Sequence, residues 1–473
     1  MRKCPECGAS YEVLDAICPQ CGAELPAPYE TWSEDDDQAD DGYDGGDFPN
    51  TVPSTEEQGV VRGTMADGSV WQLAGQYTFA PSQITMLSGA EVLLGDTSLN
   101  PGTVVMANGM IIAVHDNAVP DPKDGSTFID LTGKILAPGF IDIHTHGMMG
   151  IDTNAASVDD FRRWSMEAAK RGTTALVPTT TACEPAELSR VLANLHAVRE
   201  GGVQGARLLG LHMESNFISQ EYKGAQPAAN IFSPDDPSAW QIRQLIDEYA
   251  KDIRIVTVAP EVPGVLDFIS WLRERNIVAS LGHSAATYEQ AVEGIDAGAT
   301  HATHLFNAMT PLHHREPGLV GAALECDDVF VELICDGFHV HPAVISTVVT
   351  AKGAERVMAI TDSLQGAGME SGEFTLGGQR VTVQGGVARL DDGTIAGSIT
   401  TMDAILRLLV GNVGWDLGEA SMLVATTPAR GLGIEQLGRI TPGAAADLVV
   451  LDQGLEVDMT LVNGQIVYQR QYA

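Results

Sequence analysis

The sequence predicts an α/β fold: a (β/α)8 TIM barrel, a small β-sandwich domain assembled from both of its flanks, and a compact cysteine unit in front. Three observations predict it. Between about residues 135 and 425, apolar strand-like runs alternate with helical patterns eight times. Runs rich in β-formers and broken by turn residues lie on either side of that stretch, and the chain begins with two C-x-x-C pairs.

The first 25 residues hold Cys4-Pro-Glu-Cys7-Gly and Cys18-Pro-Gln-Cys21-Gly, two matched halves with ten residues between them. The Gly after each second Cys permits a tight turn, so Cys4, Cys7, Cys18 and Cys21 are expected to close a tetrahedral structural zinc site. The unit resembles the small zinc ribbons found at the ends of many bacterial proteins. With no open coordination position it is expected to serve structure or docking to an unidentified partner, not catalysis. Seven Cys in 473 residues are too few for a disulfide scaffold, which points to a reducing compartment and a cytoplasmic protein.

Residues 26–60 are expected to be a disordered acidic linker. Eleven Asp and Glu fall between Glu30 and Glu57 without one Lys or Arg, too much charge to support a packed core. Over the whole chain 27 Lys and Arg face 63 Asp and Glu, a net charge of −36 at pH 7. Such a surface repels phosphate backbones and anionic lipid, so neither nucleic acid nor a membrane is expected as a partner. No apolar run nears the roughly 18 residues of a membrane span, and the opening MRKCPECGAS lacks the apolar region of a signal peptide.

The β-sandwich domain is assigned to 61–134 and 426–473. Ile84-Thr-Met-Leu-Ser-Gly-Ala-Glu-Val-Leu-Leu and Gly102-Thr-Val-Val-Met-Ala lie in the first part, Ala446-Asp-Leu-Val-Val-Leu and Met459-Thr-Leu-Val in the second. Hairpins isolated at each end would be marginal, which favours one domain built from both.

The barrel is assigned to 135–425, with strands expected to end near His144, Thr180, Glu214, Glu261, Ser284, Phe306, Gly337 and Ser363. Helix starts are signalled by Ser157 with Asp160 three residues on and by the capping box Thr287-Tyr-Glu-Gln290, and 265–276 reads as amphipathic.

Active sites of such barrels lie at the C-terminal ends of the strands. Here those ends carry His144 and His146, then Glu214, His283, His304 and Asp362. His144 and His146 face the same way because side chains alternate along a strand. Imidazole and carboxylate ligands with an open position suit a hydrolytic Zn, Fe or Mn site of one or two ions. His212 is expected to point to the face opposite Glu214 and to serve packing. His301, His313 and His314 are given structural or supporting roles, and Cys183, Cys326 and Cys335 are read as buried thiols.

These residues sit in motifs that match a known family. From about 84 to 470 the chain resembles the N-acetylglucosamine-6-phosphate deacetylases of the amidohydrolase superfamily. The likeness is carried by Ala137-Pro-Gly-Phe-Ile-Asp-Ile-His-Thr-His-Gly147, Leu211-His-Met-Glu214, Lys223-Gly-Ala-Gln226, Ser280-Leu-Gly-His-Ser284, Asp336-Gly-Phe-His-Val340 and Thr361-Asp-Ser363. The most specific stretch is Thr303-His-Leu-Phe-Asn-Ala-Met-Thr-Pro-Leu-His-His-Arg-Glu-Pro-Gly318.

The resemblance implies that Glu214, His283 and His304 hold the principal metal, that His144 and His146 serve a second ion, and that Asp362 is the catalytic acid and base. It further implies that Asn307 and Ala308, through backbone groups, and Arg315, through its guanidinium, hold a substrate phosphate. Gln226 and His339 would contact the amino sugar, and the protein would be a homodimer. The chain departs from the family in having Glu214-Ser215-Asn216 where Glu-Gly-Pro is common, a change expected to alter the loop beside the metal. The expected reaction is metal-dependent hydrolysis of N-acetylglucosamine 6-phosphate in amino-sugar metabolism. Two readings stand beside it: deacetylation of another acyl compound such as N-acetylgalactosamine 6-phosphate or an N-acyl amino acid, and a zinc-ribbon adaptor whose barrel only binds sugar phosphate.

Overall fold

The computed structural model describes residues 80–471 together with the strand segments Arg2–Lys3, Ser10–Tyr11, Val60–Thr64 and Val70–Ala74. The chain divides into two units, Met1–Glu57 and Gln58–Ala473. In the first, Arg2–Lys3 and Ser10–Tyr11 pair antiparallel. Cys4, Cys7, Cys18, Cys21 and the acidic segment up to residue 59 lie outside the described residues.

In the second unit, eight strands pair in parallel in chain order: β1 (Phe140–Thr145), β2 (Thr173–Thr180), β3 (Leu211–Glu214), β4 (Ile253–Val258), β5 (Val278–Leu281), β6 (His301–Ala302), β7 (Phe330–Ile334) and β8 (Val357–Ile360). They read as nearly continuous apolar runs because helices cover their outer faces. Phe161, Trp164, Leu188, Leu192, Phe268 and Leu272 pack between helices and strands in the large outer core. The helices begin where the sequence signals them: Ser157 caps Val158–Ala169 with Asp160, and Thr287 caps Tyr288–Asp296 with Gln290, each a reciprocal capping box.

The barrel closes between β1 and the end of β8. Asp362 N–H donates to His144 O at 2.9 Å, Thr145 bridges Ser363, and Thr361 Oγ1 donates to Asp142 Oδ2 at 2.6 Å. Burial pushes the Asp142 carboxyl up to about 6, against the hydrogen bonds from Thr361. The same seam that closes the sheet therefore sets Asp362 beside the two histidines of β1.

Strands from both flanks meet in one continuous sheet of eight, in which Leu448–Leu451 pairs with Ile135–Pro138. Leu87, Val92 and Val104 from one flank share an apolar core with Leu448, Val450 and Leu461 from the other. The chain passes from this sheet into β1 at Gly139, where a Cβ would lie 2.2 Å from the Thr174 side chain. The boundaries differ from expectation in two ways. Ile135–Pro138 belongs to the flanking sheet, and 417–431 is helical, with Ala429, Leu432 and Ile434 packed on the barrel residues Ile141 and Ile360.

One insertion went unforeseen. After β8 the strands Gly372–Leu376, Gln379–Gln384 and Val387–Leu390 form an antiparallel sheet. Among the described residues no helix is long and apolar enough to cross a membrane.

Candidate metal centre and active site

Each expected ligand sits at or just beyond the C-terminal end of its strand, and all converge. Glu214, His283 and His304 form one group of mutually close ligand atoms, His144, His146 and Asp362 a second, and His144, His212 and Glu332 a third. Glu214 Oε1 lies 2.9 Å from His283 Nε2 and 2.9 Å from His304 Nε2, and those two nitrogens are 3.1 Å apart. A tetrahedral ion holds its ligands about 3.3 Å from one another, close to this triangle. Glu214 Oε2 turns the other way, 3.3 Å from His146 Nε2. Asp362 Oδ1 is 3.2 Å from His146 Nε2 and 3.5 Å from His144 Nε2.

The donor pattern tests whether a cation fits. His146 Nδ1 meets Thr179 O at 3.1 Å, His283 Nδ1 meets Tyr222 O at 2.9 Å, and His144 Nδ1 meets Glu332 Oε2 at 2.9 Å. Carbonyls and carboxylates only accept, so each ring carries a proton on Nδ1 and turns Nε2 toward carboxylates. His144 Nε2 is buried with no hydrogen-bond partner among the described residues. Lone pairs facing lone pairs repel unless a cation lies between them, and the donor set therefore fits a divalent metal.

Protons can stand in for such a cation. Burial lowers the His146 pKa, but hydrogen bonds to Asp362 and Glu214 outweigh it and raise the ring to about 10. Burial raises the Asp362 carboxyl, yet the hydrogen bond from His146 and the neighbouring imidazoles hold it at about 2. The histidines likewise hold Glu214 well below the usual carboxylate range against the effect of burial.

His283, His304 and Asp362 all adopt left-handed backbone, with φ of 47°, 29° and 44°. Non-glycine residues held there cost about 1–3 kcal/mol each, and such strain gathers where geometry serves function.

These groups open onto a pocket of about 330 Å³, also lined by Gln226, Asn307, Ala308 and His339. Gln226 is buried; its Oε1 accepts from Ala182 N at 2.8 Å and its Nε2 donates to Glu214 Oε2. His339 Nδ1 is held by Asp336 Oδ2 at 2.6 Å. Asn307 N–H turns back to His304 O at 2.9 Å, and Ala308 has a left-handed φ of 49°. Arg315 is not brought to the pocket: it lies on an exposed stretch and its Nη1 is 2.6 Å from His314 Nε2.

The departure at Ser215 and Asn216 is absorbed by the scaffold. Ser215 Oγ donates to Thr257 O at 2.6 Å, and Asn216 Nδ2 donates to Cys183 O at 2.9 Å and Asn230 O at 2.8 Å. Both are buried, and neither lines the pocket.

His212 requires correction. Two residues from Glu214 on one strand, it shares its side, and its ring stacks edge-on against His144 with centroids 4.5 Å apart. Its Nδ1 donates to Ile143 O at 3.2 Å, so its Nε2 accepts from Thr257 Oγ1 at 2.7 Å. With both nitrogens engaged it serves as a neutral floor beneath the centre. His301 is buried away from these groups against Phe330, whereas His313 and His314 are exposed. Cys183 and Cys335 are buried as expected; Cys326 is only half-buried.

Sequence reasoning missed Glu332, a fully buried carboxylate in the middle of β7. It also missed Leu376, Thr394, Ile395 and Gly397, which line the pocket from the inserted sheet and the segment after it. A lone Glu inside the run Phe330-Val-Glu-Leu-Ile334 was the available signal for the first, and the period-two pattern of 372–384 for the second.

Residues 135–467 match the model of the amidohydrolase family. The chain is 39% identical over 341 residues to the N-acetylglucosamine-6-phosphate deacetylase of Bacillus subtilis (strain 168), covering 71% of this chain and 85% of that relative. It is 35% identical over 382 residues to the N-acetylgalactosamine-6-phosphate deacetylase of Escherichia coli O157:H7, covering 80% of this chain and 98% of that relative. Among solved structures, it is similar to a mutant N-acetyl-D-glucosamine-6-phosphate deacetylase of Mycobacterium smegmatis in complex with N-acetyl-D-glucosamine-6-phosphate. That likeness has 35% identity and a TM-score of 0.75, over 81% of this chain and 99% of that one. With the barrel, the strand-end ligands and these matches in agreement, the chain belongs to the amidohydrolase family.

Proposed function

We propose that this protein hydrolyses N-acetyl-D-glucosamine 6-phosphate to D-glucosamine 6-phosphate and acetate, a step of amino-sugar catabolism and cell-wall sugar recycling. The observation that carries the reading is the convergence of His144, His146, Glu214, His283, His304 and Asp362 on a pocket walled by Gln226, Asn307, Ala308 and His339. The named substrates of its relatives supply the acetylated sugar phosphate.

Glu214, His283 and His304 would hold one divalent ion and His144 and His146 a second; Zn, Fe and Mn suit such donors. A divalent ion held there supplies Lewis acidity, polarising the acetamide carbonyl and acidifying water. Asp362 takes the proton released by the attacking water and returns it to the amide nitrogen, since an amide does not expel an unprotonated amine at neutral pH. Gln226, with one N–H on Glu214, has its second N–H left for the acetamide. His339, its Nδ1 committed to Asp336, offers Nε2 to the sugar.

Asn307, Ala308 and Arg315 are assigned the phosphate, and for Arg315 the support is the motif resemblance and the match of a planar fork to phosphate. Arg315→Ala is expected to raise KM for the phosphorylated sugar by about 10- to 100-fold with kcat little changed, the worth of one hydrogen bond between charged groups. An unchanged KM in steady-state kinetics would remove the assignment.

Metal uptake should release protons. Metal-free His146 titrates near 10 and is protonated at neutral pH, whereas a ligand nitrogen must be bare, so affinity falls as pH falls. Calorimetric titration of Mn²⁺ into metal-free protein should give apparent enthalpies that differ between buffers of different ionisation enthalpy. Equal enthalpies would mean that no proton leaves.

The E. coli O157:H7 relative favours one second reading, N-acetylgalactosamine 6-phosphate as substrate, which parallel assays with the two epimers decide. Our reading further includes a homodimer, a cytoplasmic location and a structural zinc ion on Cys4, Cys7, Cys18 and Cys21. The first rests on the resemblance, the second on thiol usage and the third on cysteine spacing.

A further inference from the structure

Of the three expected ligand imidazoles that use Nδ1 as a donor, two give it to main-chain carbonyls, Thr179 O and Tyr222 O. His144 gives its own to a carboxylate, Glu332 Oε2, at 2.9 Å. The same oxygen accepts His304 N–H at 3.3 Å, so one atom touches an expected ligand of each ion. Glu332 is fully buried, and its Oε1 has no hydrogen-bond partner among the described residues. A carboxylate is costly to bury so sparsely partnered, and an apolar residue would fill the middle of β7 more cheaply. Its neighbour His212 cannot replace it, because both nitrogens of that ring are already bound.

We propose that Glu332 is a positioning residue for the ion at the His144 and His146 pair. It fixes the His144 ring with Nε2 toward Glu214 and Asp362, and its charge makes that nitrogen a stronger ligand than a carbonyl partner would. The inference rests on the two-ion arrangement proposed above, and it names the side chain on which the second ion depends.

The test uses the full chain stripped of metal and titrated with Mn²⁺ alone, an ion that cysteine thiolates bind poorly, so the N-terminal cysteines do not contribute. Metal per chain, affinity by competition with a chelator, and the electron paramagnetic resonance spectrum are compared for wild type, Glu332→Gln and Glu332→Ala. Glu332→Gln keeps the volume and an acceptor for Nδ1–H, which guards against failure to fold. In wild type, two ions and the spectrum of a coupled pair are expected. Both variants should keep one ion at near wild-type affinity and bind the other about 10- to 100-fold more weakly, with the coupled spectrum lost at matched Mn²⁺. A merely structural role would weaken both ions together or neither, and either result overturns the proposal, as does a single ion in wild type. Two ions in wild type without acetate release would instead overturn the substrate reading and leave the Glu332 comparison to be decided on its own ratio.

Discussion

Replacing Asp362 with Asn is expected to lower kcat by about 10²- to 10⁴-fold while the metal content stays as in wild type, the range removed with a positioned acid and base. The carboxylate is fixed by main chain: its own N–H bonds His144 O at the barrel seam, and its neighbours Thr361 and Ser363 are tied to Asp142 and Thr145. Asn preserves that geometry and can neither accept nor return a proton. The Asp362 Oδ1 lies 3.5 Å from His144 Nε2 and 3.2 Å from His146 Nε2, within reach of any water these ligands organise. Turnover and metal content measured on the same sample check this, and near-full turnover with metal bound would move the proton transfer to another group.

A larger effect is expected for Glu214→Gln: no measurable acetate release, and Mn²⁺ affinity reduced by more than about 100-fold, beyond what residues that only support ligands achieve. Glu214 lies between both groups, with Oε1 toward His283 and His304 and Oε2 toward His146. Gln keeps the volume but removes the charge, and it replaces one ligand oxygen with an NH2 group that cannot bind a cation and that meets the Gln226 NH2 donor if turned toward it. Chelator competition measures the loss. Wild-type affinity in this variant would mean that the ions sit elsewhere.

The barrel and most of the centre were legible in the sequence for one reason: a polar residue at the end of an apolar run stands out. His144, Glu214, His283, His304 and Asp362 end or follow runs of Val, Ile, Leu and Ala, and the fold gathers such ends. Capping chemistry fixed two helix starts for the same kind of reason, since Ser157 and Thr287 announce themselves locally. What escaped depends on distant partners. Glu332 meets His144 because β7 and β1 flank β8 in the closed sheet, and nothing near it in the chain says so. The left-handed backbone at His283, His304 and Asp362 is uncommon for any residue but glycine, and no local pattern announces it even though His and Asp adopt it more readily than most. The inserted sheet was readable from Gly377-Gly378 and Gly385-Gly386 between alternating runs, but the β/α rhythm around it took precedence. His212 was misplaced by its spacing from Glu214, which puts the two on one side of β3.

The central claim is that one metal centre, served by Asp362, deacetylates an amino-sugar phosphate. It is tested most directly by measuring acetate release from N-acetylglucosamine 6-phosphate and from unphosphorylated N-acetylglucosamine, on purified protein whose bound metals have been counted. Rapid release from the phosphorylated sugar, little from the other and none after chelation is the predicted result. Absence of release from the phosphorylated sugar with the barrel ions bound would contradict it.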